Sequence, residues 1–186
     1  MIRAFVAIDI PEELLRSIER VSISLRSLQL DSRSVNVRSI HLTLKFLGGV
    51  EENRIADVCR AVQLGAGGTE PFEVSLRRVG VFPQLARPRV VWVGVDECQA
   101  LLRLQAKMEE SLEAVGFPRE KRAFRPHLTL MRLKSKRNLA GLARYIQQEG
   151  TAEGVGSFQV EECHLYQSLL RPGGAKYRRL FTLNWG

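Results

Sequence analysis

The sequence predicts an α+β protein made of two similar lobes that are related by a pseudo-twofold axis. Three observations lead to this class. Strand-like runs with alternating apolar residues are interspersed with two long segments of helical periodicity. A succession of strand, helix and strand before residue 90 recurs after it, and each half of the chain carries the same tetrapeptide.

The first half of the chain alternates strand-like and helix-like segments. Pro11 stands where a helix begins, Glu12 and Glu13 occupy its first turn, and apolar residues recur at helical spacing to about residue 29. Residues 30–39 are polar and predict a turn. The other predicted elements are strands over residues 3–10, 40–47 and 72–82, with Gly48-Gly49 closing the second strand, and a helix over residues 51–64.

The second half repeats this alternation and ends in a hairpin. Gly116 and Pro118 terminate a long helix over residues 97–115. The RPGG sequence at residues 171–174 predicts the turn of the hairpin. The other predicted elements are strands over residues 89–95, 125–133, 158–169 and 177–183, and a shorter helix over residues 136–149. We expect residues 1–186 to form a single two-lobed domain, because no composition break marks a linker.

Composition excludes several classes of protein. Hydrophobic residues make up 45% of the 186 residues and charged residues 26%, which are values of ordinary globular proteins. No apolar run approaches the ~20 residues that span a bilayer. The short apolar stretch at the N-terminus is followed at once by acidic residues and lacks a cleavage site. We therefore expect a cytoplasmic protein with no membrane partner.

The chain is strongly basic, with a net charge of +8, and arginine greatly outnumbers lysine. The guanidinium group offers a planar fork of donors that suits phosphate, so the charge favours a polyanion such as RNA or a nucleotide. Codon usage that favours arginine is the alternative explanation. The three cysteines, Cys59, Cys98 and Cys163, lie far apart without a CxxC pair, which predicts free, small buried residues.

The repeated tetrapeptide is the strongest functional signal. The chain has three histidines, and two of them begin the sequence HLTL, at residues 41–44 and 127–130. Both copies lie in predicted strands, where alternate residues share a face. Each strand thus presents its histidine and threonine on one face and its two leucines on the other. We expect the leucines to anchor the lobes and the two His-x-Thr faces to line a groove.

Two imidazoles and two hydroxyls facing one groove suit chemistry at phosphorus. One histidine can activate a nucleophile while the other protonates the leaving oxygen. The hydroxyls of Thr43 and Thr129 can donate to non-bridging phosphate oxygens. Structural histidines are the alternative, and a metal site is a further one, but two imidazoles are too few ligands. His164 lacks a threonine two residues later and is expected to be a half-buried strand residue.

At these residues the sequence resembles the 2H phosphoesterase superfamily, which is named for paired His-x-Thr-x motifs. It is most similar to the RNA 2′,3′-cyclic phosphodiesterases, also called 2′-5′ RNA ligase-like or LigT-like proteins. The resemblance covers essentially the whole chain. It is carried by RAFVAIDIPEEL (3–14), SIHLTLKFLGGV (39–50), VGVFP (79–83), PRVVWVGV (88–95), FRPHLTLMR (124–132) and LYQSLLRPGGAKYRRL (165–180). The approach to the first motif lacks a tryptophan found in many members.

The resemblance implies antiparallel sheets that face a central cleft, with helices outside. It implies metal-independent opening of a terminal 2′,3′-cyclic phosphate on RNA to a 2′-phosphomonoester, without a cofactor. By position, His41 matches the proton donor, His127 the proton acceptor, and Thr43 and Thr129 the phosphate-holding hydroxyls. The reverse reaction would join RNA ends through a 2′-5′ linkage. The implied partner is RNA with a 2′,3′-cyclic phosphate end, such as tRNA halves. The resemblance also implies that the protein is a monomer.

Four further residues are candidates for substrate binding. Lys45 shares strand parity with His41 and could face the phosphate or end in solvent. Arg132 has the opposite parity from His127 and is expected on the rim, near RNA backbone. Phe82 and Tyr166 could stack on a base, although core packing is the favoured interpretation for Phe82.

The sequence is compatible with two rival functions. One is a phosphodiesterase of the same fold that acts on a small cyclic nucleotide of the ADP-ribose cyclic phosphate type. The other is a non-catalytic RNA-binding protein.

Overall fold

The computed structural model describes residues 1–148, 154–171 and 174–185, and the elements within them alternate as an α+β chain. The α-helices are α1 (Glu12–Ser27), α2 (Ile55–Ala66), α3 (Gln99–Ala114) and α4 (Leu139–Gln148). The strands are β1 (Ile2–Asp9), β2 (Ser32–Ser34), β3 (His41–Val50), β4 (Phe72–Phe82), β5 (Val90–Val95), β6 (His127–Leu133), β7 (Gly156–Val160), β8 (Glu162–Arg171) and β9 (Gly174–Asn184).

The helices form where the sequence offers caps and an apolar stripe. Helix α1 begins after Pro11, whose missing N–H is not needed there, and Glu12 and Glu13 complement the positive end of the helix dipole. The side chains that α1 buries lie three, four or seven residues apart, as one helix face requires. Those of the apolar face are Leu14, Ile18 and Leu25.

The strands form two antiparallel sheets. The first sheet has the order β3-β1-β8-β9, and the second has the order β2-β6-β5-β4-β7. Each sheet contains one strand that begins with a histidine, β3 in the first and β6 in the second. Strand β3 pairs with β1, which precedes helix α1, and β6 pairs with β5, which precedes helix α3. The two sheets are thus equivalent over β3, β1, β8 and β6, β5, β4. The prediction of an α+β fold with two similar lobes, each built on an antiparallel sheet, is confirmed.

The lobes are interleaved along the chain, however, and the expected division near residue 90 is wrong. Strand β4 precedes that position but belongs to the second sheet, as does the short β2. The first sheet takes its other two strands, β8 and β9, from the C-terminal hairpin. Apolar side chains from both sheets form one buried cluster, which includes Val6, Leu42, Val93 and Leu128.

Several predicted boundaries need correction. Residues 30–39 contain β2 and a 3₁₀ turn, Val37–Ser39, because Ser32–Ser34 pairs with the edge of β6. Gly48 and Gly49 lie inside β3 instead of closing it. The single strand predicted over residues 158–169 is two strands, β7 and β8, which enter different sheets. Pro172 and Gly173 of the predicted RPGG turn lie outside the described residues.

Within the part of the chain that the structure describes, no helix is long and apolar enough to cross a membrane. The cysteines are free, as predicted, and Cys163 is buried whereas Cys59 and Cys98 are half-buried.

Candidate active site

The two HLTL strands have the same local structure. In β3 and β6 the first and third residues are half-exposed and both leucines are buried. The fourth residue of each motif is skipped in the pairing with the neighbouring strand: the register passes from Thr43 to Lys45 and from Thr129 to Met131. These β-bulges reverse the alternation, so the fifth residue is buried and the sixth is exposed.

Both histidine rings are held by the backbone in the same way. The Nδ1 atom of His41 lies 2.9 Å from the Ser39 carbonyl oxygen, and Nδ1 of His127 lies 2.7 Å from the Arg125 carbonyl oxygen. A carbonyl only accepts, so Nδ1 carries the proton in both rings and donates it. Nε2 is then the nitrogen that can take up or release a proton in the space between the motifs.

Burial lowers the pKa of both histidines below the ordinary value of 6.5. For His41 the bond to Ser39 and the charge of Asp9 oppose this shift, whereas a charge on His127 adds to it. For His127 the bond to Arg125 opposes the shift, and the charge of Arg132 adds to it. Protonation of His127 therefore disfavours protonation of His41. Strands β3 and β6 contact each other, and we call the space beside their two HLTL motifs the cleft.

Aromatic rings surround each histidine. His41 stacks on Phe5 with ring centroids 4.7 Å apart and meets the edge of Tyr177 at 5.0 Å. His127 meets the edge of Phe82 at 4.8 Å, and Phe82 contacts Trp92 at 5.0 Å. These contacts fix the planes of both imidazoles. Phe82 lies half-buried beside His127 and outside the apolar core, so the expectation that it packs in the core is wrong.

The indole of Trp92 lies across two glycines of the second sheet. A Cβ atom at Gly80 would approach Trp92 to 2.2 Å, and one at Gly94 would approach it to 2.9 Å. Only glycine leaves room for the ring at these positions. The sequence analysis did not predict Trp92, Phe5 or Tyr177 as neighbours of the histidines. Alternation along β1 and β5 could have placed Phe5 and Trp92 on the faces beside the two HLTL motifs.

The expectation that Lys45 faces a phosphate is wrong. The β-bulge turns Lys45 away from the cleft, and its side chain is almost fully buried. Its ammonium group donates to the carboxylate of Glu109 on α3 and, at 2.9 Å, to the carbonyl of Pro118. The side chain therefore ties β3 to the segment that leads into β6.

The equivalent bulge corrects the parity predicted for Arg132. Strict alternation places Arg132 on the face opposite His127. Because Leu130 is skipped in the pairing with β5, Arg132 instead lies on the same face as His127. Arg132 is exposed there, and its charge acts on His127. Phe46 occupies the corresponding position of β3 and is 72% exposed.

Tyr166 does not offer a face for a base. Its ring stacks on Phe5 at 5.4 Å and is only 8% exposed. Its hydroxyl donates to both carboxylate oxygens of Asp9, at 2.6 and 2.8 Å, and Arg179 donates to the same carboxylate at 2.6 Å. Burial and the bond to Asp9 raise the pKa of Tyr166 to about 12, although Arg179 opposes this shift. The residue holds Asp9 in place beside His41.

His164 is fully buried instead of half-buried. Its Nδ1 lies 3.0 Å from the hydroxyl oxygen of Thr182, and its Nε2 lies 3.6 Å from Asp9 and 3.4 Å from Glu162. Burial lowers its pKa. His164 therefore packs beside the Asp9 carboxylate and helps to hold it in place.

A cavity of about 470 Å³ opens beside His41. Its wall includes Asp9, Glu12, Arg38 and Tyr177. This volume falls in the range of sites that hold small organic ligands. Among the described residues there is no group of three or more histidine, cysteine, aspartate or glutamate side chains that could hold a metal ion.

Comparison with known proteins gives a consistent result. The family model described as the 2′-5′ RNA ligase superfamily matches residues 10–171. A protein from Methanothermobacter thermautotrophicus called RNA 2′,3′-cyclic phosphodiesterase is 38% identical over 176 residues, 95% of each chain. A protein of the same name from Archaeoglobus fulgidus is 34% identical and is matched over 96% of this chain and 97% of its own.

The fold is also similar to solved structures. A crystal structure from Thermus thermophilus superposes with a TM-score of 0.81 at 28% identity, covering 98% of this chain and 97% of that one. Escherichia coli LigT in complex with 3′-AMP superposes with a TM-score of 0.78 at 27% identity, with 98% and 97% coverage.

Proposed function

Because the chain belongs to the 2′-5′ RNA ligase superfamily, we propose that it opens the 2′,3′-cyclic phosphate at the end of an RNA chain and leaves a 2′-phosphomonoester. The observation that carries this proposal is the equivalence of His41 and His127. Each ring donates Nδ1–H to a carbonyl two residues earlier and keeps Nε2 for the cleft. A pair of such nitrogens suits displacement at phosphorus, where one proton is removed as another is delivered.

The reaction proceeds by in-line attack of water. The Nε2 atom of His127 takes a proton from the water as its oxygen bonds to phosphorus. The bond between phosphorus and the 3′ oxygen breaks, and Nε2 of His41 delivers a proton to that oxygen. Thr43 and Thr129 share the faces of the two histidines, and their hydroxyls donate to the non-bridging oxygens as charge grows there.

The surroundings of the two histidines support these roles. In the sheet register Asp9 lies opposite His41, whereas the equivalent position opposite His127 is Gly94. The carboxylate favours the protonated form of His41, which an acid needs. Arg132 favours the neutral form of His127, which a base needs.

The same groups also serve ligation. If a 5′-hydroxyl of a second RNA replaces water, His127 takes its proton, the bond between phosphorus and the 3′ oxygen breaks as before, and the product carries a 2′-5′ linkage. We include this ligation in the proposal as the same ring opening with a different nucleophile.

A small cyclic nucleotide is the second candidate substrate. The cavity beside His41 is large enough for a nucleoside, and its wall carries both acidic and basic side chains. If a small cyclic nucleotide is the substrate, the enzyme will turn over a cyclic mononucleotide as efficiently as an RNA that ends in a cyclic phosphate.

The test is a turnover assay on a short RNA that ends in a 2′,3′-cyclic phosphate, with EDTA present and the product identified by ³¹P NMR. We expect a 2′-phosphomonoester from the wild type. Replacing either histidine, as His41→Ala or His127→Ala, is expected to reduce kcat by about 10²–10⁴-fold while RNA binding persists.

Arg103→Ala, which changes an exposed residue of α3, is the control for a substitution away from the two histidines. A 3′-phosphomonoester would contradict the proposed bond cleavage. Loss of RNA binding with unchanged turnover per bound RNA would contradict the catalytic roles, and inhibition by EDTA that zinc reverses would show a metal requirement.

A further inference from the structure

Three exposed arginines from three strands lie on the sheet faces that carry His41 and His127. Arg3 lies on β1 with the parity of Phe5, whose ring stacks on His41. Arg132 lies on β6 with His127, and Arg33 lies directly opposite Arg132 in the pairing of β2 with β6. Side chains paired in this way on antiparallel strands share a face and lie about 5 Å apart at Cβ.

The charges of two of these arginines act on Tyr177. Burial raises the pKa of this phenol, and the charges of Arg132 and Arg3 oppose the shift. The Tyr177 ring also contacts His41. Two of the arginines therefore act on a ring that contacts His41, and one of them, Arg132, also acts on His127. We call Arg3, Arg33 and Arg132 the arginine cluster.

The C-terminal hairpin brings the two sheets together at this cluster. Gly174 begins β9 of the first sheet, and a Cβ atom there would lie 3.4 Å from a guanidinium nitrogen of Arg33 in the second sheet. Gly174 has a φ of +131°, which an L side chain rarely adopts. The hairpin thus reaches across to β2, and the cluster is framed by both lobes.

The cluster has no internal compensation for its charge. Other arginines of the described chain form ion pairs, for example Arg77 with Asp96 and Arg119 with Glu113. None of the ion pairs or side-chain hydrogen bonds between described residues includes a member of the arginine cluster. Two like charges directly opposite each other on neighbouring strands are destabilising unless an anion offsets them.

We propose that the arginine cluster binds backbone phosphates of the RNA strand that leads to the cyclic end, so that the preferred substrate is an oligonucleotide and not a mononucleotide. This inference rests on the proposed function. A cyclic phosphate carries a single charge, and two histidines and two threonine hydroxyls already face it. Three more guanidinium groups, spread over both sheets, match further phosphates, which arginine binds with its planar fork.

The first arm of the test is chain length. Values of kcat/KM are measured for adenosine 2′,3′-cyclic phosphate, for the same compound with a 5′-phosphate, and for tetra- and hexanucleotides with a cyclic end. We expect the oligonucleotides to exceed the mononucleotide by about tenfold or more per engaged arginine. Arg33→Gln is expected to reduce this ratio by about tenfold, and Arg3→Gln similarly.

The second arm is salt. For a single strand, the slope of log(kcat/KM) against log[salt] falls by about 0.7 for each phosphate contact that is lost. We expect Arg33→Gln to reduce the slope by this amount and Arg33→Lys to retain most of it. Arg103→Gln, which removes an exposed arginine from α3, should change neither the slope nor the length ratio.

The outcomes separate the two claims. Equal turnover of mononucleotide and oligonucleotides, or a length ratio that Arg33→Gln leaves unchanged, would overturn the inference. The full gain from a 5′-phosphate alone would also overturn it and assign the cluster to a small nucleotide. A wild type that turns over none of the cyclic phosphates would contradict the proposed function itself.

Discussion

At the scale of single residues, the two histidines differ in surroundings and not in local structure. Both rings are tethered through Nδ1 and partly buried against an aromatic ring. The difference lies in the neighbouring charges: a carboxylate, Asp9, near His41 and a guanidinium, Arg132, near His127. A pseudo-symmetric pair can in this way divide the roles of acid and base.

The pH dependence of kcat/KM follows from these pKa shifts. With the proposed roles, we expect the rate to fall at low pH as His127 becomes protonated and at high pH as His41 loses its proton. Because burial lowers both pKa values from 6.5, we expect a bell-shaped profile with its optimum below pH 6.5. Asp9→Asn removes a charge that raises the pKa of His41, so the alkaline limb should move to lower pH.

Asp57→Asn is the matched control, since Asp57 pairs with Arg60 on the surface of α2. A profile that only rises between pH 5 and 8 would remove the acid from the mechanism. An alkaline limb that Asp9→Asn does not move would contradict the influence of Asp9 on His41.

At the scale of elements, the paired β-bulges decide which side chains reach the cleft. The first six residues of β3 and β6 have the same burial pattern, with the fifth residue buried and the sixth exposed. The fifth and sixth residues are Lys45 and Phe46 in β3, and Met131 and Arg132 in β6. The buried fifth residue anchors the strand, by an ion pair in one sheet and by apolar packing in the other.

The buried ion pair can be tested by comparing a single and a double substitution. Glu109→Leu leaves the ammonium group of Lys45 buried without its partner, and we expect a loss of about 3–5 kcal/mol in the free energy of unfolding. The double variant Lys45→Met/Glu109→Leu introduces the residue found at the equivalent position in β6. It should recover most of that loss in urea unfolding. A double variant less stable than Glu109→Leu alone would contradict this account.

Sequence patterns predicted the strands and helices well where periodicity was long, as for β4, which has the predicted bounds. They also placed both histidines on faces opposite buried leucines. Parity after the bulges could not be predicted, because a bulge depends on pairing with another strand. The same reason explains why β2 and the break between β7 and β8 were missed: both depend on which sheet a segment joins.

At the scale of the whole molecule, the chain crosses repeatedly between the sheets. The first sheet combines the N-terminal strands β1 and β3 with the C-terminal hairpin, and the second sheet is built largely from the middle of the chain. The buried cluster also contains side chains from both sheets. The two faces of the cleft are therefore held together by the core beneath them.

This arrangement predicts that the lobes unfold together. In a Trp185→Phe variant, Trp92 is the remaining tryptophan and reports on the second sheet. We expect its fluorescence and the far-ultraviolet circular dichroism of the whole chain to change at the same urea concentration. Two separated transitions would show that the lobes are independent and would contradict a single two-lobed domain.

The most direct test of the central claim, that His41 is the acid and His127 the base, replaces the leaving 3′ oxygen of the cyclic phosphate with sulfur. A thiolate leaves without protonation, because the pKa of a thiol is about 8.5. We expect His41→Ala to regain most of its lost rate on this substrate relative to the wild type, and His127→Ala to remain inactive. Rescue of His127→Ala alone would reverse the two roles, and rescue of neither variant would contradict acid catalysis of this step.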